Sequence, residues 1–308
     1  MEYKNTMKII LITGATSFIG QHLINLLIND YKIVAVVRVN SSKINTLPVN
    51  KNLSIVQLNM DSYSKLPQIL NIKNLYAFIH LSCGGTRGAD RSNEQMQNEN
   101  YKNSILALKA AEQLGTKIFM SAGSQAEYGQ LNSVITEDTI PQPTTAYGKN
   151  KLKFYEYGMK FCDERNIKFL EPRFFSLYGC GDYQGTLIMS MLDKMLKNEP
   201  CDLTDCTQKW NFLNIKDAVK GMKILIENKD VKTGAYNFAS NDTRELKSFI
   251  LEMKAIAQSN SKLNFGAIQH NDSGRYGINP DITKLLATGW KPEVSFKNGI
   301  KEIITKNL

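Results

Sequence analysis

The chain has 308 residues, 42% of them hydrophobic and 22% charged, which is enough apolar material for one extended domain or two closely joined ones and excludes a disordered chain. Its formal charge of +9 comes from lysines and arginines scattered along the sequence rather than gathered in a tract, so nucleic acid is not an expected partner. Five cysteines without C-x-x-C spacing and three histidines (His22, His80, His270) without ligand spacing give neither a disulfide framework nor a metal site. No apolar run reaches the roughly 18 residues of a membrane span and Met1 to Met7 lacks the order of a signal peptide, so the expectation is a cytoplasmic protein without a membrane partner.

Lys8 to Ile12 is a short β-rich apolar run, followed by Thr13-Gly14-Ala15-Thr16-Ser17-Phe18-Ile19-Gly20 and then the helical pattern Leu23, Leu26, Leu27. At a strand, glycine turn and helix in this order the backbone approaches a pyrophosphate closely, and the N–H groups opening the helix face its charge. Gly14 and Gly20 match the outer glycines of a dinucleotide fingerprint, with Ser17 in place of the middle one, where it either crowds a phosphate or hydrogen-bonds to it.

The strand Ile33 to Val37 ends at Arg38, where an NAD-preferring fold usually carries Asp or Glu against the ribose hydroxyls. An arginine there suits a 2′-phosphate, so NADP is the expected cofactor, with NAD as the alternative. Leu53 to Leu58 reads as a third strand with Asp61 just beyond it, a carboxylate that either accepts from an adenine amino group or caps a helix. Tyr76 to Leu81 is the fourth strand, its His80 read as a satisfied core histidine, and it leaves through Ser82 at the carboxyl edge of the sheet. The loop that follows carries Thr86, Arg87 and Arg91, the two arginines being placed to clamp a diphosphate. A helix from about Ser92 to Leu114, containing Asn100, leads to the fifth strand Lys117 to Met120 and directly to Ser124.

Strands alternating with helices predict an α/β, Rossmann-like, doubly wound parallel sheet. Ser124 then lies at the carboxyl end of a central strand, where such folds place their chemistry. Tyr147 and Lys151, four apart on one helix, project from the same face. A phenol has an ordinary pKa of about 10, and a neighbouring ammonium favours its ionised form, so the two make a proton-transfer pair, with Ser124 as a neutral hydroxyl for a substrate oxygen.

A sixth strand is expected at Ile167 to Leu170. Beyond Pro172 the alternation weakens, giving a smaller mixed C-terminal substrate domain. The division expected is a Rossmann domain over residues 1–172 with 208–230 returning to it, interleaved with a substrate domain over 173–308.

These residues resemble the extended short-chain dehydrogenase/reductases, the NAD-dependent epimerase/dehydratase family. The matching pieces are TGATSFIG, Asp61, His80-Leu81-Ser82, Asn100, Ser124 through Gly129, Tyr147 with Lys151, Arg173 through Gly179, Trp210 through Asp217, and Gly289-Trp290-Lys291-Pro292. They span essentially the whole chain, and several short stretches look most like the bacterial nucleotide-sugar 4-ketoreductases of the CDP-abequose synthase type.

The resemblance implies Ser124, Tyr147 and Lys151 as catalytic residues, with Tyr147 the acid/base and Lys151 holding the nicotinamide ribose and lowering the tyrosine pKa. It implies a cofactor site of Gly14, Ser17, Phe18, Ile19, Gly20, Arg38, Asp61, Leu81, Ser82, Asn100, Tyr147, Lys151 and Phe174. For the nucleotide-sugar substrate it implies Thr86, Arg87, Ser124, Gln125, Ser176, Thr186, Leu187, Gln208 and Arg275. A homodimer through two long helices of the Rossmann domain is the implied assembly. Three departures stand out: Gln125-Ala126 replaces the Asp-Glu pair of sugar 4,6-dehydratases, which removes the elimination acid and base; Ser176 and Asn211 replace Asn and Asp; and Trp210 replaces a phosphate-binding arginine. The expected activity is NADPH-dependent reduction of the 4-keto group of a nucleotide-activated 4-keto-6-deoxysugar for polysaccharide precursor synthesis. The alternatives are an NAD-dependent nucleotide-sugar epimerase and, in another class, a non-catalytic dinucleotide sensor.

Overall fold

The computed structural model describes residues 7–131, 133–269 and 277–307. In chain order the first half runs β1 (Ile9–Thr13), α1 (Phe18–Leu27), β2 (Lys32–Val37), β3 (Leu53–Gln57), α2 (Leu66–Leu70), β4 (Ala77–His80), α3 (Glu94–Gln113), β5 (Ile118–Ser121), the two-residue β6 (Gly123–Ser124), α4 (Ala146–Asp163) and β7 (Lys168–Phe174). The second half adds β8 (Ser176–Tyr178), α5 (Leu187–Leu196), β9 (Cys201–Leu203), β10 (Lys209–Asn214), α6 (Ile215–Glu227), β11 (Gly234–Phe238), β12 (Thr243–Glu245), α7 (Leu246–Ile256), β13 (Leu263–Phe265), α8 (Thr283–Leu286) and α9 (Phe296–Asn307). Short 3-10 turns at Met60–Lys65, Gly88–Ser92 and Gln125–Glu127 carry residues used below.

The main sheet has eight strands in the order β11-β7-β5-β4-β1-β2-β3, with β6 paired to β7. The ladders from β3 through to β7 are all parallel. The order reverses between β1 and β4, and this is the switch point at whose carboxyl edge doubly wound folds bind their ligands. β1, β2, β4 and β5 are almost wholly buried, as strands covered on both faces are, and their Ile/Val/Phe runs follow from that. β3 at the edge is mostly exposed or half-exposed. The helices start where side chains cap them: Ser17 accepts from the Gly20 amide, Asn93 from Met96 and Thr145 from Gly148.

The core behind this sheet is aromatic. Phe119 stacks on Phe78 at 5.4 Å and on Phe169 at 5.9 Å, and meets Phe154 edge-on at 6.2 Å. His80 lies at its margin as a satisfied core histidine, its ring nitrogens paired with Thr13 Oγ1 at 2.8 Å and Ser104 Oγ at 3.1 Å. Burial, helped by the Lys151 charge, pushes its pKa down to about 3, so it is neutral.

Two differences from the expected elements have local causes. The long helix begins at Glu94, two residues after Ser92, because Asn93 is its cap. The sixth strand continues through Pro172 to Phe174; its ladder with β5 covers only Lys168 to Leu170, so the missing proline N–H interrupts nothing there. β11 carries no strong strand signal of its own and adds to the far side of β7.

The chain divides into two compact units. One takes residues up to Gly129, Pro141–Arg173 and Met222–Tyr236, and the other takes Gln130–Ile140, Phe174–Gly221 and Asn237 onward. The segment that returns to the sheet is thus 222–236 rather than 208–230. β10 pairs in parallel with β8 and antiparallel with β12, which keeps residues 209–214 in the second unit. The second half of α6 is tied to the first unit by Tyr31 Oη donating to Glu227 and Tyr76 Oη to the Ile226 carbonyl.

The second unit has its own mixed sheet, β12-β10-β8, a two-stranded pair β13-β9 and a separate core in which Phe249 meets Phe296 at 4.8 Å and Phe212 at 5.1 Å. Two of the matched motifs are structural here: the Trp290 indole donates to the Asp217 carbonyl, and the Asp217 carboxylate accepts from the amides of Glu293 and Val294. Among the described residues no helix is long and apolar enough to cross a membrane.

Candidate active site

The turn after β1 is built for close approach. Gly14 has φ +66°, and a Cβ on it would lie 2.8 Å from the carbonyl carbon of Leu81 and the amide of Ser82, so the β1 and β4 loops touch through a residue without a side chain. Ser17 is in extended conformation at φ −72°, which any residue adopts, and its hydroxyl accepts from Gly20 N at 3.0 Å. It therefore needs no glycine, and its side chain is spent on capping α1. Phe18 and Ile19 open the helix, where amides have no intrahelical partner and favour an anion.

The other expected cofactor residues surround the same edge. Arg38 is exposed just beyond β2, and Asp61, also exposed, sits in the 3-10 turn beyond β3 and accepts from the Ser62 hydroxyl. Leu81 is buried, and the Ser82 hydroxyl is paired with Tyr63 Oη at 2.8 Å. Asn100 reaches from α3 to clamp the loop after β4: its Oδ1 accepts from Gly84 N at 3.0 Å, and its Nδ2 donates to Gly84 O at 2.9 Å and to Gln97.

Tyr147 and Lys151 lie in the first turns of α4, Tyr147 buried and Lys151 half-buried. Lys151 Nζ donates to the Ala122 carbonyl at 2.6 Å and lies 5.8 Å from the centre of the Tyr147 ring. Ser124, at the end of β6, is near enough to the Tyr147 phenol to favour its ionised form. The three groups thus converge, and a small cavity beside them is lined by Cys83, Gln97, Asn100, Tyr101, Ser104, Tyr147, Asn150, Lys151 and Phe154.

The electrostatics differ from the expected net lowering of the tyrosine pKa. Burial raises it and, with Cys83, outweighs the lowering by Lys151, Ser124 and Arg91. Burial lowers the Lys151 pKa, but the anionic forms of Cys83, Tyr147, Glu127 and Glu171 outweigh it and the net direction is up. At neutral pH the phenol keeps its proton and the amine its charge.

Arg91, expected as one of two diphosphate clamps, stands beside the phenol. From the turn Gly88–Ser92 its guanidinium sits 4.9 Å from the centre of the Tyr147 ring, and its Nε is buried without a hydrogen-bond partner, so a second cation faces the phenol. Its neighbours on the loop, Thr86 and Arg87, are exposed. Gln125 opens the turn Gln125–Glu127 with its Oε1 buried and without a hydrogen-bond partner. Glu127 was not picked out from the sequence. Its signal was there: Ser124-x-x-Glu127 is a capping box, and both of its hydrogen bonds form.

The remaining expected residues lie in the second unit or at its start. Phe174 packs edge-on against Phe238 at 5.3 Å. Ser176 pairs with Phe212 across the β8 and β10 ladder, Thr186 donates to Asp182 Oδ2 at the start of α5, and Leu187 joins the apolar core there. Gln208 precedes β10 with its Oε1 buried and without a hydrogen-bond partner. The substituted Asn211 is buried, its amide bonded to Ser240, Asp242 and Thr243, and Trp210 stands beside Phe212. Arg275 lies outside the described residues.

A parallel sheet with a glycine turn at its switch point and a Ser, Tyr and Lys gathered at its carboxyl edge defines a dinucleotide-dependent enzyme. The family model for the NAD dependent epimerase/dehydratase family matches residues 10–239. The chain is 30% identical over 310 residues to the CDP-abequose synthase of Salmonella muenchen, covering 97% of each chain. It is 26% identical to a putative UDP-glucose 4-epimerase of Methanocaldococcus jannaschii over 96% of this chain and 97% of that one. Among solved structures it matches the UDP-glucose 4-epimerase of Thermotoga maritima, determined with UDP-glucose, with a TM-score of 0.86 at 22% identity, covering 97% of this chain and 99% of that one. The chain belongs to the NAD-dependent epimerase/dehydratase family, of the extended short-chain dehydrogenase/reductase type. It is accordingly an NAD(P)-dependent enzyme that modifies nucleotide sugars.

The glycine cradle and the open N-terminus of α1 fit a dinucleotide on geometry alone. Gly14→Ala places a methyl group against the Leu81–Ser82 backbone in a left-handed conformation, and is expected to abolish tight dinucleotide binding, read as loss of protein-fluorescence quenching on NADPH titration.

Proposed function

We propose that the protein is a reductase acting on the 4-keto group of a nucleotide-linked 4-keto-6-deoxysugar with NADPH, supplying a polysaccharide precursor. The observation that carries this reading is the state of Tyr147: burial holds the phenol in its neutral form, which makes it a proton donor at neutral pH. A ketone being reduced needs such a donor at its oxygen. An alcohol being oxidised needs a base.

The reduced nicotinamide, when bound, supplies the hydride. Tyr147 gives its proton to the carbonyl oxygen as negative charge develops there, and the Ser124 hydroxyl donates a hydrogen bond to the same oxygen. The phenolate left behind faces the Lys151 ammonium and the Arg91 guanidinium, which stabilise it until it is reprotonated. Lys151 is held for this by the Ala122 carbonyl. Dehydration is disfavoured because Gln125 and Ala126 have no acidic group and the carboxylate next to them, Glu127, is committed to the Ser124 amide and to Arg173. Ser176, Thr186, Leu187 and Gln208 stay in this reading as proposed contacts of the nucleotide sugar. The similarity to the Salmonella CDP-abequose synthase supports it further.

The second reading, a 4-epimerase with a retained NAD, is favoured by the similarity to two epimerases. The exposed Arg38 in place of an acidic residue argues against it, because it suits the 2′-phosphate of NADPH.

Tyr147→Phe is expected to lower kcat by about 10²–10⁴-fold while leaving NADPH affinity within a few-fold. Because the working form of Tyr147 is the acid and its pKa is raised, reduction should persist through neutral pH and fall only as pH climbs past the ordinary phenol value of about 10. A rate that instead rises with pH from 6 to 9 would mean that a base is at work. Arg38→Asp should lower kcat/KM for NADPH far more than for NADH, and a wild-type preference for NADH would remove the NADPH assignment. The reading includes a pair of chains joined through α3 and α4; a light-scattering mass of one chain would exclude it.

A further inference from the structure

Behind Ser124 lies a cluster of charged groups that the reaction above does not use. Glu127, Glu171 and Arg173 are exposed by only 0%, 1% and 2%. Arg173 Nε donates to Glu127 Oε2 at 2.9 Å and to Glu171 Oε1 at 3.1 Å. The guanidinium is also stacked between two rings, 4.8 Å from the centre of Tyr128 and 4.8 Å from that of Tyr155, which lies one turn beyond Lys151 on α4. Burying three ionisable groups costs several kcal/mol of desolvation per ion, and well-packed apolar residues would fill the same space at no such cost. The arrangement calls for a reason.

Its free end points to one. The second oxygen of Glu127, Oε1, accepts from the Ser124 backbone amide at 2.7 Å, the length of a charge-assisted bond, while the Ser124 hydroxyl accepts from Ala126 N at 3.2 Å. The same strand end brings Ala122 O to Lys151 Nζ at 2.6 Å. Between them, a Cβ on Gly123 would lie 2.6 Å from Glu171 Cγ and 3.0 Å from Arg173 Cγ, so the backbone of residues 122–124 rests directly on the cluster.

We infer that Glu127, clamped by Arg173 and Glu171, is a positioning residue that fixes the Ser124 hydroxyl relative to Tyr147 and Lys151. Three supports meet at it: one oxygen is fixed by a guanidinium that two rings immobilise, the other holds the peptide carrying the hydroxyl, and the glycine lets that peptide sit on the clamp. Burial, and then the Glu127 carboxylate, holds the Glu171 carboxyl well above the usual carboxylate range. The inference rests on the reading of Ser124 as the hydroxyl that hydrogen-bonds the substrate oxygen.

The test is a double-mutant cycle in kcat between Glu127→Gln and Ser124→Ala, with NADPH and a 4-keto-6-deoxysugar nucleotide. Glu127→Gln should lower kcat by at least about tenfold in the wild-type background, because small misplacement of a catalytic group is costly. In the Ser124→Ala background it should change kcat by less than about twofold, since the group it positions is already gone. Equal losses in both backgrounds, or none in the first, would overturn the inference. Should Glu127→Gln fail to fold, Glu127→Asp, which keeps the charge but shortens the reach to the Ser124 amide, takes its place in the cycle with the same two outcomes.

A second measurement needs neither variant nor substrate. In the wild-type protein the Ser124 amide proton should resonate far downfield and exchange slowly, and a fast-exchanging amide at an ordinary shift would overturn the anchor. If the wild type reduces no keto-sugar but interconverts 4-epimers, the cycle is run on that reaction. If it does neither, the functional reading fails, and the amide signal still judges the anchor.

Discussion

An ammonium partly withdrawn from water needs hydrogen-bond partners to keep its charge, and the site is arranged around that requirement at Lys151. The half-buried lysine donates to the Ala122 carbonyl, and negative charge on the groups around it, Glu127 among them, favours its charged form. Because Ala122 is one residue from the end of β5 and two from Ser124, the bond that satisfies the lysine also ties the Tyr147 face of α4 to the carboxyl edge of the sheet. Charge, helix position and strand end are fixed by one contact. Tyr147 inherits the geometry from its place one turn earlier on the same helix.

The desolvation that keeps Lys151 in place acts in the opposite sense on Tyr147. Removing water disfavours a phenolate more than the neighbouring cations favour it, so the pair is poised as a neutral acid beside a fixed positive charge. Such a pair is suited to giving a proton away and then holding the resulting anion. Arg91 strengthens the second half of that sequence without being needed for the first, and its buried Nε leaves one donor on the active-site side of α4.

Much of this was legible in the sequence because the relevant physics is local. Buried parallel strands read as Ile/Val/Phe runs, the glycine turn sits between a strand and a helix, and the i, i+4 spacing of Tyr147 and Lys151 fixes a shared face. Ser124 was legible by its place after a central strand. What escaped depends on direction in three dimensions. The side chain of Arg91 leaves a 3-10 turn toward the phenol, and no periodicity encodes that. β11 is short and sits on the sheet only because α6 delivers it there. The net pKa of Tyr147 is a balance between burial and two cations, and spacing shows the cations but not the burial. Glu127 is the instructive case: S-x-x-E was written in the chain, but a three-residue turn gives no apolar pattern to mark a helix start. The hydroxyl of Ser17, open to two uses from sequence, is fixed as a cap by the same kind of local bond.

The last strand of the large sheet is contributed late. β11 ends at Phe238, and it covers the flank of β7 that is otherwise the sheet's edge. During synthesis the sheet up to β7 therefore emerges from the ribosome with that flank unpaired, and it stays so while roughly sixty further residues are translated, at least several seconds at ordinary elongation rates. An unpaired strand edge of this kind is a template for pairing with other chains. An N-terminal portion cut between Phe174 and Gly234 would carry Tyr147 and Lys151 and yet expose that edge for good, so the strands up to β7 do not make a separable module.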